Sequence, residues 1–471
     1  MGAGRMTTHV ELRPGAFADS VTLLQVSRSV QGLPGVAAAQ VAMATELNLE
    51  VLAGMGFDIP AEATPNDLVV ALRLDDPDTL DAALAGVAQA LTEATRRPTG
   101  ATEEAPPRTT SAALRETPDA VVLVSVAGKH VLPEAMDAVD AGRDVMIFSD
   151  NVPVAEEVAL KRAAADRQIL VMGPDCGTAV IDGVGLGFAN VVSPGPVGMV
   201  AASGTGCQQL LALLDHAGVG VSSALGVGGR DLSAEVGGLA TREALRRLDE
   251  DPAVELIVVI SKPPAPEVAA AIEEYAAGLA TPVEFALLGA GRPDLTAAAE
   301  AVLHRVGCDV PVWPVAGTAS PAATGSLLRG LFVGGTLCQE SRIIATATLG
   351  EDGHHTFVDF GDDAYTEGRA HPMIDPTLRL EHLARAAADE STGVVLLDVV
   401  LGHGAEPDPA ARLAPAVADV PQPVVISVVG TDADPQDRGA QVRALVGAGA
   451  EVHLSNATAT RRAVEILGGH R

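Results

Sequence analysis

One five-residue pattern, Gly-Thr-x-Cys-Gln, occurs twice in this chain, at residues 204–208 and again at residues 335–339. Each copy follows a short apolar run, typical of a buried parallel strand, and precedes a helix-like segment. A glycine turn leading from a strand into a helix leaves N–H groups unpaired at the positive end of the helix dipole. Such helix ends bind anions, phosphate above all. The predicted phosphate-binding residues are Ser203, Gly204, Thr205 and Gly206 in the first turn and Gly334, Gly335 and Thr336 in the second.

The duplication extends beyond the two turns. Strand-like runs at residues 256–260 and 394–398 form a second matched pair, and runs at 282–287 and 423–428 form a third. The glycine turn and two strand-like runs recur in the same order, which predicts two similar α/β domains whose helix ends face one shared site. The alternative is that each turn needs glycine only for close packing. The length of the match favours the shared anion site.

Composition excludes several classes of protein. With a formal net charge of -30 and an aromatic content of 2%, the chain lacks both a basic surface for nucleic-acid phosphates and rings for base stacking. No apolar run is long enough to span a bilayer, and the N-terminal residues lack the apolar core of a signal peptide. The cysteines have neither metal-ligand spacing nor a disulfide framework. We therefore expect a cytoplasmic enzyme or enzyme subunit that binds no nucleic acid, membrane or metal.

Strand-like and helix-like segments divide the chain into five parts. Residues 1–95 alternate between the two and predict a small α+β domain, whereas residues 96–117 have the composition of a linker. Residues 118–193 contain three strands separated by two helices, which predicts a parallel, partial Rossmann-like layer. The two repeat domains follow, at residues 194–324 and 325–471.

Loops at the carboxyl ends of predicted strands supply candidate ligand contacts, because open α/β sheets bind ligands there. Asp175 and Cys176 follow the last strand of the Rossmann-like layer and are predicted to bind substrate. Lys262 follows the strand at residues 256–260. It either neutralises a phosphate or carboxylate or is a solvated loop lysine.

Further charged residues lie in other loops. Arg230 and Asp231 follow a pair of glycines, and Arg369 lies in a charged loop of the second repeat domain. Arginine suits planar carboxylates and phosphates because it donates two parallel hydrogen bonds. Arg230 is therefore a candidate catalytic residue, and Asp231 and Arg369 are candidate substrate contacts; a solvated loop charge is the alternative for each. The aspartates at 359, 362 and 363 are interpreted as an acidic surface cluster rather than a magnesium site.

Several of these segments together resemble one known family. The segments at residues 173–177, 202–205 and 226–231, with the matched repeat, resemble the succinyl-CoA synthetase superfamily, and most closely its FdrA-type branch. The resemblance runs from about Ala120 to Leu467, with an α-subunit-like part first and a part similar to the carboxyl-terminal end of the β subunit after it. It implies two flavodoxin-like domains whose repeated helices, in the ligases, hold a phosphorylated histidine between them.

The chain also departs from the ligase pattern. The stretch at residues 287–294, which matches the ligases' histidine loop, contains no histidine. His403, in Gly402-His403-Gly404-Ala405, lies in the β-like half and is a candidate general acid or base, a substrate ligand or a solvent-facing residue. Residues 9–95 and the linker replace the half-domain that binds CoA in the ligases, and no ATP-grasp domain is recognised.

The resemblance and the departures lead to three hypotheses. The first is a subunit of a hetero-oligomeric transferase, moving a carbamoyl group between carbamoyl phosphate and oxamate, since FdrA-type proteins are associated with the oxamate carbamoyltransferase of allantoin breakdown. This reaction requires no cofactor. The second is an acyl-CoA synthetase subunit, which would use CoA and a nucleotide. The third is a non-catalytic scaffold subunit, and a homodimer is compatible with all three.

Overall fold

The fold is described from a computed structural model covering residues 7–94, 107–117, 119–319, 325–351, 354–366 and 369–468. The chain divides into two compact units, one formed by residues 1–106 with 361–378 and the other by residues 107–360 with 379–471. Within the described ranges, no helix combines the length and apolarity needed to cross a membrane.

The described residues form mixed helices and strands. In chain order the helices are α1 Ser20–Gln31, α2 Glu46–Gly54, α3 Leu80–Ala94, α4 Thr110–Glu116, α5 Val131–Asp140, α6 Val154–Ala165, α7 Gly204–His216, α8 Leu239–Glu250, α9 Pro266–Ala276, α10 Leu295–Arg305, α11 Gly335–Leu349, α12 Asp363–Thr366, α13 Thr377–Ala388, α14 Pro409–Ala418, α15 Arg438–Gly447 and α16 Asn456–Gly468. The strands are β1 Thr7–Pro14, β2 Val36–Met43, β3 Asp67–Leu74, β4 Val122–Val124, β5 Val145–Ile147, β6 Val171–Met172, β7 Thr178–Ile181, β8 Val184–Gly187, β9 Val197–Ala202, β10 Val221–Gly226, β11 Leu256–Ser261, β12 Val283–Leu287, β13 Val315–Ala316, β14 Leu327–Phe332, β15 Thr356–Asp359, β16 Thr392–Val400, β17 Val424–Val429 and β18 Glu451–His453.

The first unit is built on an antiparallel sheet in the order β1-β3-β2. The central strand β3 is apolar on both faces: Leu68, Val70 and Leu72 pack into a core with α1 and α3, while Val69 and Ala71 face a second core that includes Leu52 of α2. This alternation follows from the period of two in a strand. The predicted small α+β domain is confirmed.

Residues 361–378 also belong to the first unit, although they were predicted to lie within the second repeat domain. Arg369 donates to Asn48 Oδ1 at 3.2 Å, and Arg28 donates to the carbonyl oxygen of Ile374 at 3.1 Å. Polar contacts between segments this far apart leave no periodic signal in a sequence, which explains the difference.

The partial Rossmann-like layer is the parallel sheet β4-β5-β6, with α5 and α6 packed on one face. Helix α4 lies inside the predicted linker. Its Thr110 and Ser111 hydroxyls donate to Glu134 and Asp137 of α5, both at 2.6 Å, and Leu114 is buried. The linker prediction is therefore wrong for residues 110–116, because two side-chain hydrogen bonds and one apolar contact anchor a short helix that composition alone does not reveal.

The two repeat domains have the same strand order. Their sheets run β12-β11-β9-β10-β7-β8 and β13-β18-β17-β16-β14-β15. Numbered by first appearance, the parallel strands read 4-3-1-2 in the first sheet and 5-4-3-1-2 in the second, which is the flavodoxin-like order. The predicted duplication and fold class are confirmed.

The hairpin β7–β8 joins the first repeat sheet, although its residues were assigned to the Rossmann-like layer. Asp182 and Gly183 form its turn with φ values of 49° and 79°. Two consecutive positive φ angles match the strand twist of a tight hairpin. The hairpin thus extends the first repeat sheet beyond its parallel strands.

Candidate functional site

The two glycine turns begin helices that follow equivalent strands. Helix α7 starts after Ser203, whose Oγ accepts a hydrogen bond from the N–H of Gly206 at 2.9 Å. Helix α11 starts after Gly334, which provides no side-chain cap. Each helix follows the first parallel strand of its sheet. Beside this strand the chain connections of a doubly wound sheet change from one face to the other, which leaves a crevice at the carboxyl ends of the strands.

The two turns meet each other. Ser203 Oγ and Thr336 Oγ1 lie 2.6 Å apart in a hydrogen bond, and both side chains are buried. Thr205 Oγ1 lies 2.9 Å from the position that a Cβ atom would take on Gly334. The structure therefore brings the predicted phosphate-binding residues of both repeats to one place.

The backbone N–H groups at this junction belong to the first turns of the two helices. Among the described residues, no acceptor takes a hydrogen bond from the N–H groups of Gly204 and Thr205 in α7 or of Gly335, Thr336 and Leu337 in α11. Each set lies at the positive end of a helix dipole. Together they form a site suited to an anion.

The second turn differs from its sequence-based description, because some of its N–H groups are already paired. Asp398, in β16, accepts hydrogen bonds from the N–H groups of Val333 and Gly334, both at 2.8 Å. Arg379 donates to Asp398 Oδ1 at 3.2 Å and to its carbonyl oxygen at 2.6 Å. Both side chains are buried, and burial raises the pKa of Asp398 to about 6.

Lys262 and Asp359 lie beside Gly335. A Cβ atom on Gly335 would overlap Asp359 Oδ2 and would lie 3.0 Å from Lys262 Nζ. Lys262 thus occupies the position expected for a residue at the carboxyl end of β11, next to the glycine turns. Asp359, which the sequence placed in an acidic surface cluster, is half-buried at this site.

A buried polar cluster, formed by Gln209, Glu340 and Asn456, joins the two repeat domains behind the turns. Glu340 accepts from the N–H of Leu295 and from Asn456 Nδ2, both at 2.7 Å, and Gln209 Oε1 accepts from the N–H of Asn456 at 2.9 Å. Burial raises the pKa of Glu340 to about 7. None of these three residues had a signal in the sequence, because the glutamines of the repeated pattern are Gln208 and Gln339.

Asp231 and Arg230, which were predicted to bind substrate and to act in catalysis, both have structural partners. The fully buried Asp231 accepts from Lys161 Nζ at 2.8 Å and from the N–H of Thr241 at 2.9 Å. Arg230 Nε donates to Glu157 Oε2 at 3.1 Å. Because a buried ammonium must be paired, the Lys161 side chain requires the acidic side chains that surround it.

Asp175 and Cys176 lie on the loop that follows β6. Cys176 is buried, its Sγ contacts the carbonyl oxygen of Thr178 at 3.6 Å, and burial raises its pKa to about 12. The group is therefore a thiol at neutral pH. Asp175 is exposed, and its Oδ2 lies 3.7 Å from the Cβ position of Gly229. These contacts place both residues beside the glycine loop that follows β10.

Arg369 belongs to the first unit, where it bonds Asn48 and forms an ion pair with Asp375 at 3.7 Å. The glycine turns belong to the second unit. Within that second unit, the imidazole of His403 is exposed, while its backbone N–H donates to the carbonyl oxygen of Ala189 at 2.8 Å. The loop is therefore held through its backbone rather than through the histidine ring.

Comparisons with known proteins match both ends of the chain. A family model described as "AllF, heavy metal-associated domain" matches residues 6–107, and one described as "CoA-ligase" matches residues 331–466. Residues 6–107 contain no cysteine and a single histidine, His9, and the described parts of the chain hold no group of three His, Cys, Asp or Glu suited to a metal ion. Heavy metals favour thiolate ligands, so these residues do not fit such a site.

The ligase likeness covers only part of the relatives concerned. The α subunit of malate–CoA ligase from Methylorubrum extorquens is 27% identical over 144 residues, covering 29% of this chain and 47% of that one. The α subunit of the ADP-forming succinate–CoA ligase from Methanothermobacter thermautotrophicus is 29% identical over 156 residues, covering 32% and 50%. The chain thus spans about half the length of these relatives.

Among solved structures, the dinucleotide-forming acetyl-coenzyme A synthetase 1 of Ca. Korarchaeum cryptofilum, in complex with phosphate and ADP, is 16% identical over 74% of this chain and 82% of its own, with a TM-score of 0.29.

One relative matches nearly end to end. The uncharacterized protein YahF of Escherichia coli strain K12 is 35% identical over 497 residues, covering 94% of this chain and 95% of YahF. That match includes the first domain and both glycine-turn domains. The chain therefore belongs to the FdrA-type family of the succinyl-CoA synthetase superfamily, together with YahF.

Proposed function

We propose that this chain is a subunit of a multi-subunit transferase that acts on a phosphorylated small molecule, moving a carbamoyl group between carbamoyl phosphate and oxamate. The observation that carries the proposal is the hydrogen bond between Ser203 and Thr336, which brings two sets of unpaired N–H groups together. Lys262, beside Gly335, adds a positive charge. Three phosphate oxygens offer more acceptors than one helix end can satisfy, so two opposed ends suit one phosphate-bearing ligand.

The reaction needs orientation and charge stabilisation more than a protein nucleophile. The amide nitrogen of oxamate attacks the carbonyl carbon of carbamoyl phosphate, a C–N bond forms, and the C–O bond to the phosphate breaks. The departing phosphate keeps the bridging oxygen and takes up the proton that the nitrogen loses, so oxalurate and phosphate are the products. In the opposite direction phosphate attacks oxalurate. The N–H groups and Lys262 would stabilise the charge on the phosphate oxygens in both directions.

The short connection from β12 to α10 supports transfer without a phosphorylated histidine. Residues 288–294 form this connection and contain no histidine. His403 follows β16 in the other repeat domain, and its exposed ring lacks the burial that orients a phosphocarrier between two helix ends. A direct transfer between bound substrates requires neither residue.

A second candidate function is that of an acyl-CoA synthetase subunit. The CoA-ligase match at residues 331–466 and the ligase α-subunit relatives favour it. This reaction would require CoA, a nucleotide and a group that carries the phosphoryl moiety. Partner subunits would supply the nucleotide site in that case.

Assays of the protein with its candidate partner subunits separate the two functions. Carbamoyl phosphate and oxamate are expected to yield oxalurate and phosphate, whereas ATP, CoA and succinate are expected to yield no thioester. Lys262→Met should reduce the carbamoyl transfer strongly, and Lys129→Met, at an exposed lysine, should not. Thioester formation without oxalurate would replace the carbamoyl-transfer proposal with the ligase.

A further inference from the structure

The antiparallel sheet of the first unit has two outer strands, β1 and β2, and the chain itself covers one of them. On the outer side of β2, Ser27 Oγ accepts a hydrogen bond from the N–H of Val41 at 2.8 Å and donates to the carbonyl oxygen of the same residue at 3.4 Å. On the outer side of β1, the described residues place no further strand. An unpaired edge of this kind is where another strand can add to a sheet.

The strand pairing shows which backbone groups of β1 point out of the sheet. The N–H and C=O groups of one residue point to the same side of an antiparallel strand, and the side alternates along the chain. Val41 points outward to Ser27, so its partner Val70 points to β1, where it is paired with Glu11. The backbone groups of Glu11 therefore point into the sheet. The outward groups belong to the alternate residues Thr8, Val10 and Leu12, whose N–H groups bond to no described residue.

The side chains of β1 complement those of a second β1 in antiparallel orientation. With Val10 on a two-fold axis, each Val10 faces its counterpart, and His9 of each copy faces Glu11 of the other. The His9–Glu11 pairs then occupy non-hydrogen-bonded positions, where opposite side chains lie closest. Thr8 faces Leu12, so all three outward residues exchange backbone hydrogen bonds.

Neighbouring registers are less favourable. An axis at Glu11 opposes the two Glu11 carboxylates and places His9 against Arg13. An axis at Leu12 places Val10 against Pro14, which has no N–H to donate. An axis at His9 brings the two imidazoles together. The register about Val10 is thus the one that combines opposite charges with complete backbone pairing.

We propose that β1 is an interface between two copies of this chain, in which the β1 strands pair antiparallel about Val10 and join the two sheets into one. The partly buried Val10 side chains meet at the axis and extend the apolar core that contains Val69 and Ala71. The side chains of His9 and Glu11 lie on the other face of the sheet, against which α1 and α3 pack. This inference does not depend on the proposed function.

Cysteine cross-linking of the full-length protein tests the register. Val10→Cys places two thiols opposite each other with Cα atoms about 5.5 Å apart, a separation that a disulfide can bridge. Mild oxidation should therefore produce a covalent dimer on a non-reducing gel. Leu12→Cys is the matched control, because it lies on the same face of β1 but opposite Thr8 of the other copy, and it should give no such dimer. Cross-linking of Leu12→Cys as strong as that of Val10→Cys would overturn the register.

Charge variants test whether His9 and Glu11 face each other. His9→Glu opposes two carboxylates, and Glu11→Lys puts an ammonium against the imidazole, so each variant alone should dimerise about tenfold more weakly than the wild type in analytical ultracentrifugation. An equimolar mixture of the two should form a heterodimer, because each new charge then faces its opposite. Local damage to the strand would not be repaired by mixing. A mixture that associates no more tightly than the single variants would contradict the pairing.

Val10→Pro tests the backbone pairing. It removes one outward N–H without removing a hydrogen bond to β3, and edge strands accept proline at such positions. Light scattering should give the mass of two chains for the wild type and of one chain for the variant, with unchanged circular dichroism. A wild type that is monomeric at every concentration, or a Val10→Pro variant that stays dimeric, would overturn the proposal. So would a monomer that uses this edge to bind a partner subunit and loses that subunit on Val10→Pro, since the occupant would then be a strand of another protein.

Discussion

Ser203 and Thr336 are 133 residues apart in the sequence, and their hydroxyl groups share a buried hydrogen bond of 2.6 Å. The first residue caps α7 and the second lies in the first turn of α11. This bond joins the two repeat domains at the point where their unpaired N–H groups converge. It ties the geometry of one helix end to that of the other.

A double-mutant cycle on this pair should reveal the connection. Thr336→Val keeps the shape of the side chain but leaves the Ser203 hydroxyl with one partner fewer, so it should cost about 1–3 kcal/mol of unfolding free energy. With Ser203→Ala, the coupling energy is expected at about 0.5–1.5 kcal/mol. Denaturant titrations of the wild type, both single variants and the double variant provide the measurement. Strictly additive effects would contradict a shared bond.

Gly335→Ala should weaken phosphate binding strongly, because the added Cβ atom meets the Asp359 carboxylate and Lys262. Gly204→Ala should have a smaller effect, since its nearest neighbour, Thr178 Oγ1, is 3.2 Å away. Gly447→Ala is the matched control: this residue lies in a helix, has no positive φ and has no heavy atom within 4 Å of the Cβ position. Phosphate titration of the three variants, with circular dichroism to verify the fold, checks the order. Equal affinities at positions 335 and 447 would refute it.

Asp398→Ala should be severely destabilising, by about 3–5 kcal/mol, because it removes the carboxylate that is hydrogen-bonded to the buried guanidinium of Arg379. The Val333 and Gly334 N–H groups also lose their acceptor. Adding Arg379→Met should recover part of this loss, since the uncompensated charge is then removed. Melting temperatures of the single and double variants are the measurement. A double variant less stable than Asp398→Ala would show that Arg379 does not depend on Asp398.

Glu340 should make stability depend on pH. Burial raises its pKa to about 7 from a usual value of 4.5, so the native protein retains a proton that the unfolded chain releases between these values. The free energy of unfolding therefore falls by up to about 3 kcal/mol as the pH rises from about 4.5 to 7, and it does not fall further above pH 7. Glu340→Gln removes this dependence. The stability difference between the variant and the wild type, measured at pH 5 and pH 8, should shift in favour of the variant at pH 8; a constant difference would contradict the prediction.

His403→Ala should leave transfer activity largely intact, because the ring is exposed and the loop is held by the N–H of residue 403, which alanine retains. Incubation with a labelled phosphoryl donor should leave no acid-labile, base-stable phosphate on the chain. Label that disappears together with activity in the variant would make His403 a phosphocarrier and support the ligase function.

The repeated pattern in the sequence was sufficient to predict the duplicated domains and the meeting of their glycine turns. Apolar runs and turns have a period that a single sequence displays. The flavodoxin-like arrangement of the strands was implied by the family resemblance. Asp398 could not be identified in this way, because it reads as one more residue of a strand. Only the pairing of β16 with β14 places its carboxylate at the second turn.

Lys161 illustrates the same limit for a helix. A lysine followed by an arginine on a helix is typical of a solvated face, yet the Lys161 side chain is buried and bonded to Glu157, Asp231 and the carbonyl oxygen of Val227. Two of these partners come from a loop about 70 residues away, as the separations of 66 and 70 show. Burial of a charge depends on such partners, which no local pattern contains.

The assignment of residues 361–378 to the first unit limits how the chain can be divided into fragments. Because that unit is assembled from two separated stretches of sequence, cutting the chain between residues 94 and 107 does not yield a self-sufficient N-terminal fragment. Such a fragment would lack the carbonyl oxygen of Ile374 that receives Arg28 and the guanidinium of Arg369 that reaches Asn48. The larger fragment, conversely, would carry a peptide whose own partners are on the other piece. Two fragments produced from separate genes in one cell should therefore complement each other, and neither should be fully ordered alone.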